Sequence, residues 1–140
     1  INDRVDVGLA VQADGFQLGE RGLPIAVVRD FVGPGYLLGA SVHSIDEAQA
    51  ALAQGADFLL AGTIFASRSH PGEPAMGLQF LRSIKQSHPD TTVLAIGGIT
   101  PENAGEVMAA GVDGLAVISA ILSTQNVTHA VRALRQAMGL

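Results

Sequence analysis

The sequence contains no cysteine, no tryptophan and a single tyrosine among its 140 residues. Without cysteine the chain has no disulfide, no thiolate metal site and no cysteine nucleophile. The scarcity of tyrosine and tryptophan leaves few rings to stack on a flavin, which argues against a flavin-dependent electron carrier. The single lysine, Lys85, falls in a predicted helix, whereas a Schiff-base aldolase needs a lysine that projects from a strand into its site.

Basic residues are also scarce, since 8 Lys and Arg stand against 13 Asp and Glu and give a formal net charge of −5. Binding to a nucleic-acid backbone needs clustered cations, so we expect no nucleic-acid partner. The longest apolar runs, such as 56–65, are much shorter than the roughly 20 residues of a membrane-spanning helix. No signal-peptide pattern is present, so we expect a cytoplasmic protein without a membrane partner.

Short apolar segments alternate along the chain with amphipathic ones, and this alternation predicts repeated βα units. The strand segments are apolar throughout, as in parallel strands that are covered on both faces. Ser44 and the pair Thr100-Pro101 are start signals for two of the helices. The predicted strands are 15–18, 36–42, 57–65, 92–97 and 114–119, and the predicted helices are 4–11, 24–31, 45–54, 77–87, 101–110 and 127–138.

Two α/β architectures have this order of elements, and residues 1–140 are predicted to form one domain. Five strands in 140 residues suit a flavodoxin-like doubly wound sheet, whereas a closed eight-stranded barrel takes about 200 to 250 residues. Residues 1–3 run directly into a helix and resemble the final residues of a strand.

A short sequence motif recurs where a predicted helix is followed by a strand. It places Asp14, Asp57 and Asp113 directly before strand residues, each after a small residue or a short apolar one. Such recurrence indicates repeated helix-to-strand units. We interpret these aspartates as turn residues on the side of the fold away from the chemistry.

Gly97 and Gly98 follow a predicted strand and precede a helix. Because they carry no side chains, the turn leaves backbone N–H groups and the positive end of the helix dipole open to an anion. The next predicted strand ends at Ile118 and Ser119, and phosphate sites of barrels often use the loops after the last two strands. These four residues are candidates for phosphate binding, and the alternative for the glycine pair is a tight turn without a ligand.

The longest polar stretch contains Ser67, Arg68, Ser69 and His70 and comes after the most apolar strand. Its hydroxyls, guanidinium and imidazole could bind phosphate or diphosphate oxygens, with Arg68 as a bidentate clamp and His70 as a titratable donor. The alternative is a solvated surface loop.

Asn2 and Asp3 stand at the end of the first, short strand-like segment. Asp3 could ligate magnesium, which prefers oxygen ligands and takes only one or two carboxylates from protein. The alternative is that Asn2 and Asp3 cap the helix that starts at residue 4. Ser41, at the end of another predicted strand, could contact a ligand.

Together these strand-end residues resemble the thiamine phosphate synthase and TenI superfamily, through segments 1–6, 13–19, 39–44, 62–65, 95–100 and 114–119. The resemblance covers the whole chain in order. Members of this superfamily are α/β proteins of the TIM (βα)8 barrel type, so the resemblance implies the end of the third strand through the eighth helix, without the first two βα units and most of the third strand. Such a sheet would expose apolar strand edges, so we expect association into a homo-oligomer.

The resemblance also implies roles for single residues. A synthase of this superfamily joins a pyrimidine diphosphate to a thiazole phosphate with magnesium and releases pyrophosphate. Asn2 and Asp3 match its strand-three pair, with Asp3 as a magnesium ligand, and Ser41 matches its pyrimidine-side serine. The residues that match its thiazole-phosphate cradle are Gly97, Gly98, Ile118 and Ser119.

The chain departs from the synthase pattern at two places. Gly22 stands where the synthase has its second magnesium carboxylate, and the stretch from Ser67 to His70 lacks the lysine of the synthase flap. The first change weakens magnesium binding and the second removes a cation, so both leave a diphosphate leaving group less neutralised. They favour the TenI branch, which isomerises the thiazole phosphate tautomer without a metal.

The TenI branch uses a general acid/base histidine, and that position aligns with Thr63, a poor base at neutral pH. His70 is therefore the candidate for the acid/base role. We expect a TenI-like protein that binds thiazole phosphate. The alternatives are a magnesium-dependent thiamine phosphate synthase and a non-catalytic phosphate-binding or regulatory module.

Overall fold

The computed structural model describes residues 1–67, 72 and 74–140, so the predictions for Arg68, Ser69 and His70 lie outside the described residues. Helices and strands alternate as the sequence predicts, and the fold class is α/β. The elements are α1 Val5–Ala10, β1 Gly15–Leu18, α2 Ile25–Val32, β2 Leu37–Val42, α3 Ile45–Ala53, β3 Phe58–Ala61, α4 Gly77–Ser87, β4 Thr92–Ile96, α5 Pro101–Met108, β5 Gly114–Ala116, α6 Ser119–Leu122 and α7 Val127–Ala137.

The strand order is β1-β2-β3-β4-β5, with parallel pairing of β1 with β2 and of β4 with β5. The chain divides into two compact units, Ile1–Leu60 and Ala61–Leu140. The prediction that these strands belong to an eight-stranded barrel stays a prediction.

The first unit packs helices α1 and α2 on one face of its strands. Phe16 and Leu18 on β1 and Leu38 on β2 are buried against Val5 of α1 and Val28 of α2. Successive strand residues point to opposite faces, so Gln17 lies on the other face of β1. The first residues continue the pairing: the Asp3 N–H donates to the Gln17 carbonyl over 2.9 Å, which confirms that residues 1–3 behave as the end of a strand.

The second unit pairs β4 with β5 in parallel register, from Leu94 with Gly114 to Ile96 with Ala116. The two strands therefore end side by side, and the turns that leave them lie at one edge of this pair. The buried side chains Leu81 and Ile84 of α4 and Val107 of α5 form part of the core of this unit.

Asp57 confirms the interpretation of the recurrent aspartates as structural turn residues. Its Oδ2 atom accepts the N–H of Leu38 over 2.7 Å and pairs with the Arg29 guanidinium at 2.6 Å. Arg29 also donates to the carbonyls of Gly33, Tyr36 and Gly55, so it ties the end of α2 to the turns before β2 and β3.

Asp113 repeats this arrangement in the second unit. Its Oδ2 atom accepts the N–H of Val93 over 2.8 Å and the ammonium of Lys85 over 3.1 Å. Burial acts to raise the pKa of Asp113, but the Val93 N–H and Lys85 outweigh it and hold that pKa below its ordinary value. The single lysine is thus a structural ion-pair partner.

Two predicted strands were too long. The strand predicted at 57–65 ends at Ala61; the N–H groups of Ile64 and Phe65 still donate to the carbonyls of Ile96 and Gly97, but in an irregular segment. The strand predicted at 114–119 ends at Ala116, because the carbonyl of Ile118 accepts the N–H of Leu122 and a short helix begins at Ser119. A short apolar run fits a strand and a helix equally well, which explains both errors.

The helix start signals were predicted correctly. The Ser44 hydroxyl accepts the N–H of Glu47 over 3.1 Å, and Pro101 is the first residue of α5. Within the described parts of the chain, no helix is long and apolar enough to span a membrane.

Candidate active site

In the first unit, Asp3 is held against the turn after β1. Its Oδ1 atom accepts the N–H of Gly19 over 2.7 Å, and its Oδ2 atom accepts the side-chain amide of Asn2 over 2.8 Å. Helix α1 has Arg4 at its N-cap position and no side-chain cap. The alternative prediction, that Asn2 and Asp3 cap this helix, is therefore wrong: the Asp3 carboxylate turns towards β1 instead.

The turn itself brings Gly22 onto Asp3. The N–H of Gly22 donates to the carbonyl of Gly19 over 2.9 Å, which places Glu20 and Arg21 at its two central positions. A Cβ atom at position 22 would lie 2.6 Å from Asp3 Oδ1. Glycine at this position lets the backbone approach the carboxylate closely.

The donor set fits a magnesium ion that is held through one protein carboxylate. Each Asp3 oxygen accepts one hydrogen bond and keeps a second lone pair. Among residues 1–67, 72 and 74–140 no group of three or more His, Asp or Glu side chains could hold a metal. Magnesium is commonly bound through one or two carboxylates together with water and substrate phosphates, and Asp3 meets that minimum.

Ser41 lies near the end of β2, on the same face as Gln17. The side-chain amide of Gln17 donates to Ser41 Oγ over 3.0 Å. The sequence analysis did not single out Gln17, although it is a polar residue within an otherwise apolar strand, at a position that alternates with the buried Phe16 and Leu18.

A groove of about 320 Å³ opens within the first unit between the turn after β1, the end of β2 and α3. Its lining includes Gly19, Glu20, Gly22, Ser41 and Glu47, and also Leu18, Ala40 and Val42, so it lies mainly on the helix-covered face of the strands, opposite the Gln17 side chain. Its volume lies at the lower end of the range typical of small-molecule sites, about 300 to 1,000 Å³.

In the second unit, the turn at Gly97 and Gly98 packs tightly on the segment after β3. The two residues have φ angles of +103° and +62°, which L side chains rarely adopt. A Cβ atom at Gly97 would lie 2.7 Å from Thr63 Cγ2, and one at Gly98 would lie 2.6 Å from the carbonyl oxygen of Ala66. Both positions therefore require glycine for conformation and for space.

Asn103 fixes this turn to the start of α5. Its Oδ1 atom accepts the N–H of Thr100 over 2.8 Å, and its amide donates to the Gly98 carbonyl over 3.0 Å. Among the described residues, the N–H groups of Gly98 and Ile99 have no acceptor. They are therefore available to an anion at the N-terminal end of α5.

The first turn of α5 already contains one negative charge, Glu102. A hydrogen bond from Thr100 lowers the pKa of Glu102 below its ordinary value. The Glu102 carboxyl is therefore ionised at neutral pH and shares the positive end of the helix with any bound anion.

Ile118 and Ser119 come after β5, which is the parallel neighbour of β4. Ile118 is the N-cap residue of α6, and Ser119 is half-buried in its first turn. The structure thus brings this predicted pair to the same edge of the β4–β5 pair as Gly97 and Gly98. The predicted strand was too long, since β5 ends at Ala116, and phosphate binding by Ile118 and Ser119 stays a prediction.

Thr63 and Ser67 both have interaction partners in the structure. Thr63 is buried, and its carbonyl accepts the N–H of Met76 over 2.8 Å. Thr63 therefore helps to support the glycine turn. The acid/base prediction for His70 and the phosphate-binding predictions for Arg68 and Ser69 stay predictions.

The chain is similar to proteins named thiamine-phosphate synthase. The family model described as "Thiamine monophosphate synthase" matches residues 1–121. The chain is 48% identical over 136 residues to the thiamine-phosphate synthase of Chloroflexus aurantiacus, covering 96% of this chain and 62% of the relative. It is 46% identical to the thiamine-phosphate synthase of Pyrococcus furiosus, covering 97% of this chain and 65% of the relative.

Solved structures show the same fold. A thiamine phosphate pyrophosphorylase from Pyrococcus furiosus superposes with a TM-score of 0.89 at 45% identity, over 99% of this chain and 65% of that chain. A 3-hexulose-6-phosphate synthase superposes with a TM-score of 0.71 at 20% identity, over 95% of this chain and 66% of that chain, and shows similarity of fold alone.

The chain spans 62 to 65% of the length of the Chloroflexus and Pyrococcus relatives. These relatives carry the synthase name, so the names support the broader superfamily prediction and do not single out the TenI branch. With a family match over residues 1–121 and 46 to 48% identity to two named relatives, the chain belongs to the thiamine monophosphate synthase family.

Proposed function

We propose that this chain carries substrate-binding residues of a thiamine-phosphate synthase, which joins a pyrimidine diphosphate to a thiazole phosphate and releases pyrophosphate. The observation that carries the proposal is the turn at Gly97 and Gly98, with two N–H groups at the start of α5 that have no acceptor among residues 1–67, 72 and 74–140. The names of the close relatives favour this reaction over tautomer isomerisation.

In the second unit, the thiazole phosphate is bound by the N–H groups of Gly98 and Ile99, together with Ile118 and the Ser119 hydroxyl. The missing side chains at the glycine turn allow phosphate oxygens to reach the backbone, and the helix dipole favours their negative charge. A neutral, backbone-based cradle of this kind does not titrate near neutral pH.

In the first unit, Asp3 would hold the magnesium ion that accompanies the diphosphate of the pyrimidine substrate. Ser41 contacts the pyrimidine-bearing substrate. Magnesium, when bound, supplies positive charge that offsets the charge of the leaving diphosphate. The Gly19 N–H and the Asn2 amide fix the orientation of the Asp3 carboxylate before any ligand arrives. The phosphate- or diphosphate-binding roles of Ser67, Arg68, Ser69 and His70 stay predictions.

The test is pyrophosphate release by the purified protein with both substrates, with and without magnesium. We expect release that depends on magnesium and that falls at least tenfold in Asp3→Asn. The matched control is Asp6→Asn, because Asp6 is an exposed carboxylate that pairs with Arg4 away from the turn.

Other outcomes reject the proposal in distinct ways. Isomerisation of the thiazole phosphate tautomer without pyrophosphate release identifies a TenI-like tautomerase instead. Calorimetric binding of thiazole phosphate without turnover of any kind identifies a phosphate-binding module.

A further inference from the structure

Gln17 connects the two candidate ligand-binding residues of the first unit. Its backbone carbonyl accepts the N–H of Asp3 over 2.9 Å, and its side-chain amide donates to Ser41 Oγ over 3.0 Å. The residue is half-buried and stands on the face of β1 opposite the packed Phe16 and Leu18. The family match by itself assigns Gln17 no role in ligand recognition.

A second acceptor favours one direction of the hydrogen bond between Gln17 and Ser41. The Gln17 Nε2 atom also lies 3.5 Å from the carbonyl oxygen of Leu18, which can only accept. The amide nitrogen therefore faces Ser41, and Ser41 Oγ accepts. Among the described residues, no acceptor receives the hydrogen of the Ser41 hydroxyl, so that hydrogen is available to a ligand.

Gly39 leaves room for the Gln17 side chain in this position. It is the β2 partner of Gln17, and a Cβ atom there would lie 2.3 Å from Gln17 Oε1 and 2.2 Å from Phe58 Cζ. The amide thus lies over a glycine and beside an aromatic ring. A side chain at position 39 would displace the amide, and the hydrogen bond to Ser41 Oγ holds the donor in this orientation.

We propose that Gln17 is a positioning residue that makes Ser41 a hydrogen-bond donor, so that the site selects a substrate with an acceptor atom at this point. This inference rests on the proposed function, in which Ser41 contacts the pyrimidine-bearing substrate. A ring nitrogen and a diphosphate oxygen share the required acceptor chemistry. Gln17 does not titrate, so the polarity of the bond is independent of pH.

The test reverses that polarity with Gln17→Glu, which has the same shape. An ionised carboxylate can only accept, so it takes the Ser41 hydrogen away from the substrate. We expect the KM for the pyrimidine diphosphate to rise about tenfold at a pH of about 7.5, which corresponds to the loss of one hydrogen bond, with the KM for thiazole phosphate unchanged. Protonation of the introduced carboxyl restores a donor, so the KM defect shrinks as the pH falls.

Two further variants separate positioning from a structural effect. Ser41→Ala removes the hydroxyl and should raise the same KM to a similar extent, and the double variant should show no additional loss. The matched control is Gln12→Glu, which introduces the same charge at an exposed glutamine of the same unit and should change neither KM. Thermal unfolding of each variant verifies that the fold is retained.

The source of the acceptor is distinguished with two ligands, the unphosphorylated pyrimidine alcohol and inorganic pyrophosphate. If Ser41→Ala weakens binding of the pyrimidine alcohol alone, the acceptor is the ring nitrogen. If it weakens binding of pyrophosphate alone, the acceptor is a diphosphate oxygen. Equal effects of Gln17→Glu on both substrates, or additive effects with Ser41→Ala, overturn the inference alone. Wild-type protein that fails to bind the pyrimidine diphosphate overturns the proposed function and the inference together.

Discussion

Replacement of Gly97 by alanine tests whether the glycine turn is required for phosphate binding. The new methyl group would lie 2.7 Å from Thr63 Cγ2, 2.8 Å from Thr63 Cα and 3.0 Å from the backbone nitrogen of Ile64. Two of these three atoms belong to the backbone, so no side-chain rotation relieves the overlap. The turn or the segment beside it must therefore move.

Two physical effects contribute to the cost. The φ angle of +103° is unfavourable for a residue with a Cβ atom, by roughly 1 to 2 kcal/mol. Insertion of a methyl group into a tightly packed site costs about 1 to 3 kcal/mol more. We expect Gly97→Ala to lower the free energy of unfolding by about 3 kcal/mol and to abolish most of the thiazole phosphate affinity, because the displaced turn no longer presents the Gly98 and Ile99 N–H groups together.

Gly111→Ala is the matched control in the same unit. Gly111 has a similar φ angle of +94°, but a Cβ atom there would meet only Lys85 Cγ and Cβ, at 3.9 and 4.0 Å. We expect a loss of about 1 kcal/mol and unchanged phosphate binding. Urea unfolding and calorimetry with thiazole phosphate measure both quantities. Equal destabilisation by the two substitutions, or full phosphate affinity in Gly97→Ala, would refute the reasoning.

Two further substitutions test the ion pair and the turn at Asp3. Asp113→Asn should cost about 1 kcal/mol near neutral pH, because the half-exposed pair with Lys85 is lost. The pKa of Asp113 is below its ordinary value in the folded state, so its contribution to stability is present at neutral pH and is lost as the pH falls below about 4. The free energies of unfolding of wild type and variant, measured in urea, should therefore converge at low pH. A difference that stays constant with pH would contradict the ion pair. Gly22→Ala should displace Asp3 and lower the free energy of unfolding by about 1 to 2 kcal/mol. Magnesium should then stimulate pyrophosphate release less than in the wild type. An unchanged response to magnesium would show that Asp3 does not hold the ion.

Local sequence signals predicted the elements well where they involve caps or glycine turns. Ser44 and Pro101 start their helices, and the glycine pair forms the expected turn before α5. Prediction failed at 57–65 and 114–119, because an apolar run does not reveal where strand pairing stops and a helix begins.

The candidate site was predictable in its residue types and less so in its contacts. Asp3 and Ser41 were identified from their positions at strand ends, but the cap alternative for Asp3 was wrong, because its oxygens accept from Gly19 and Asn2. Gln17 was missed, since its importance arises from a hydrogen bond to a residue 24 positions later. Spacing along the chain carries no information about a partner on a neighbouring strand.

The sequence by itself determined the α/β class and the glycine turn, because periodicity, caps and glycine positions are local properties of the chain; its resemblance to known proteins indicated the family. The tertiary structure decided which groups are engaged and which are free. In the folded chain, Asp57 pairs with Arg29 and Asp113 pairs with Lys85. The Asp3 carboxylate accepts the N–H of Gly19 after β1, and Ser41 accepts the Gln17 amide. These outcomes depend on which strands lie side by side and on the few ångströms between their side chains, and only the folded chain sets those distances.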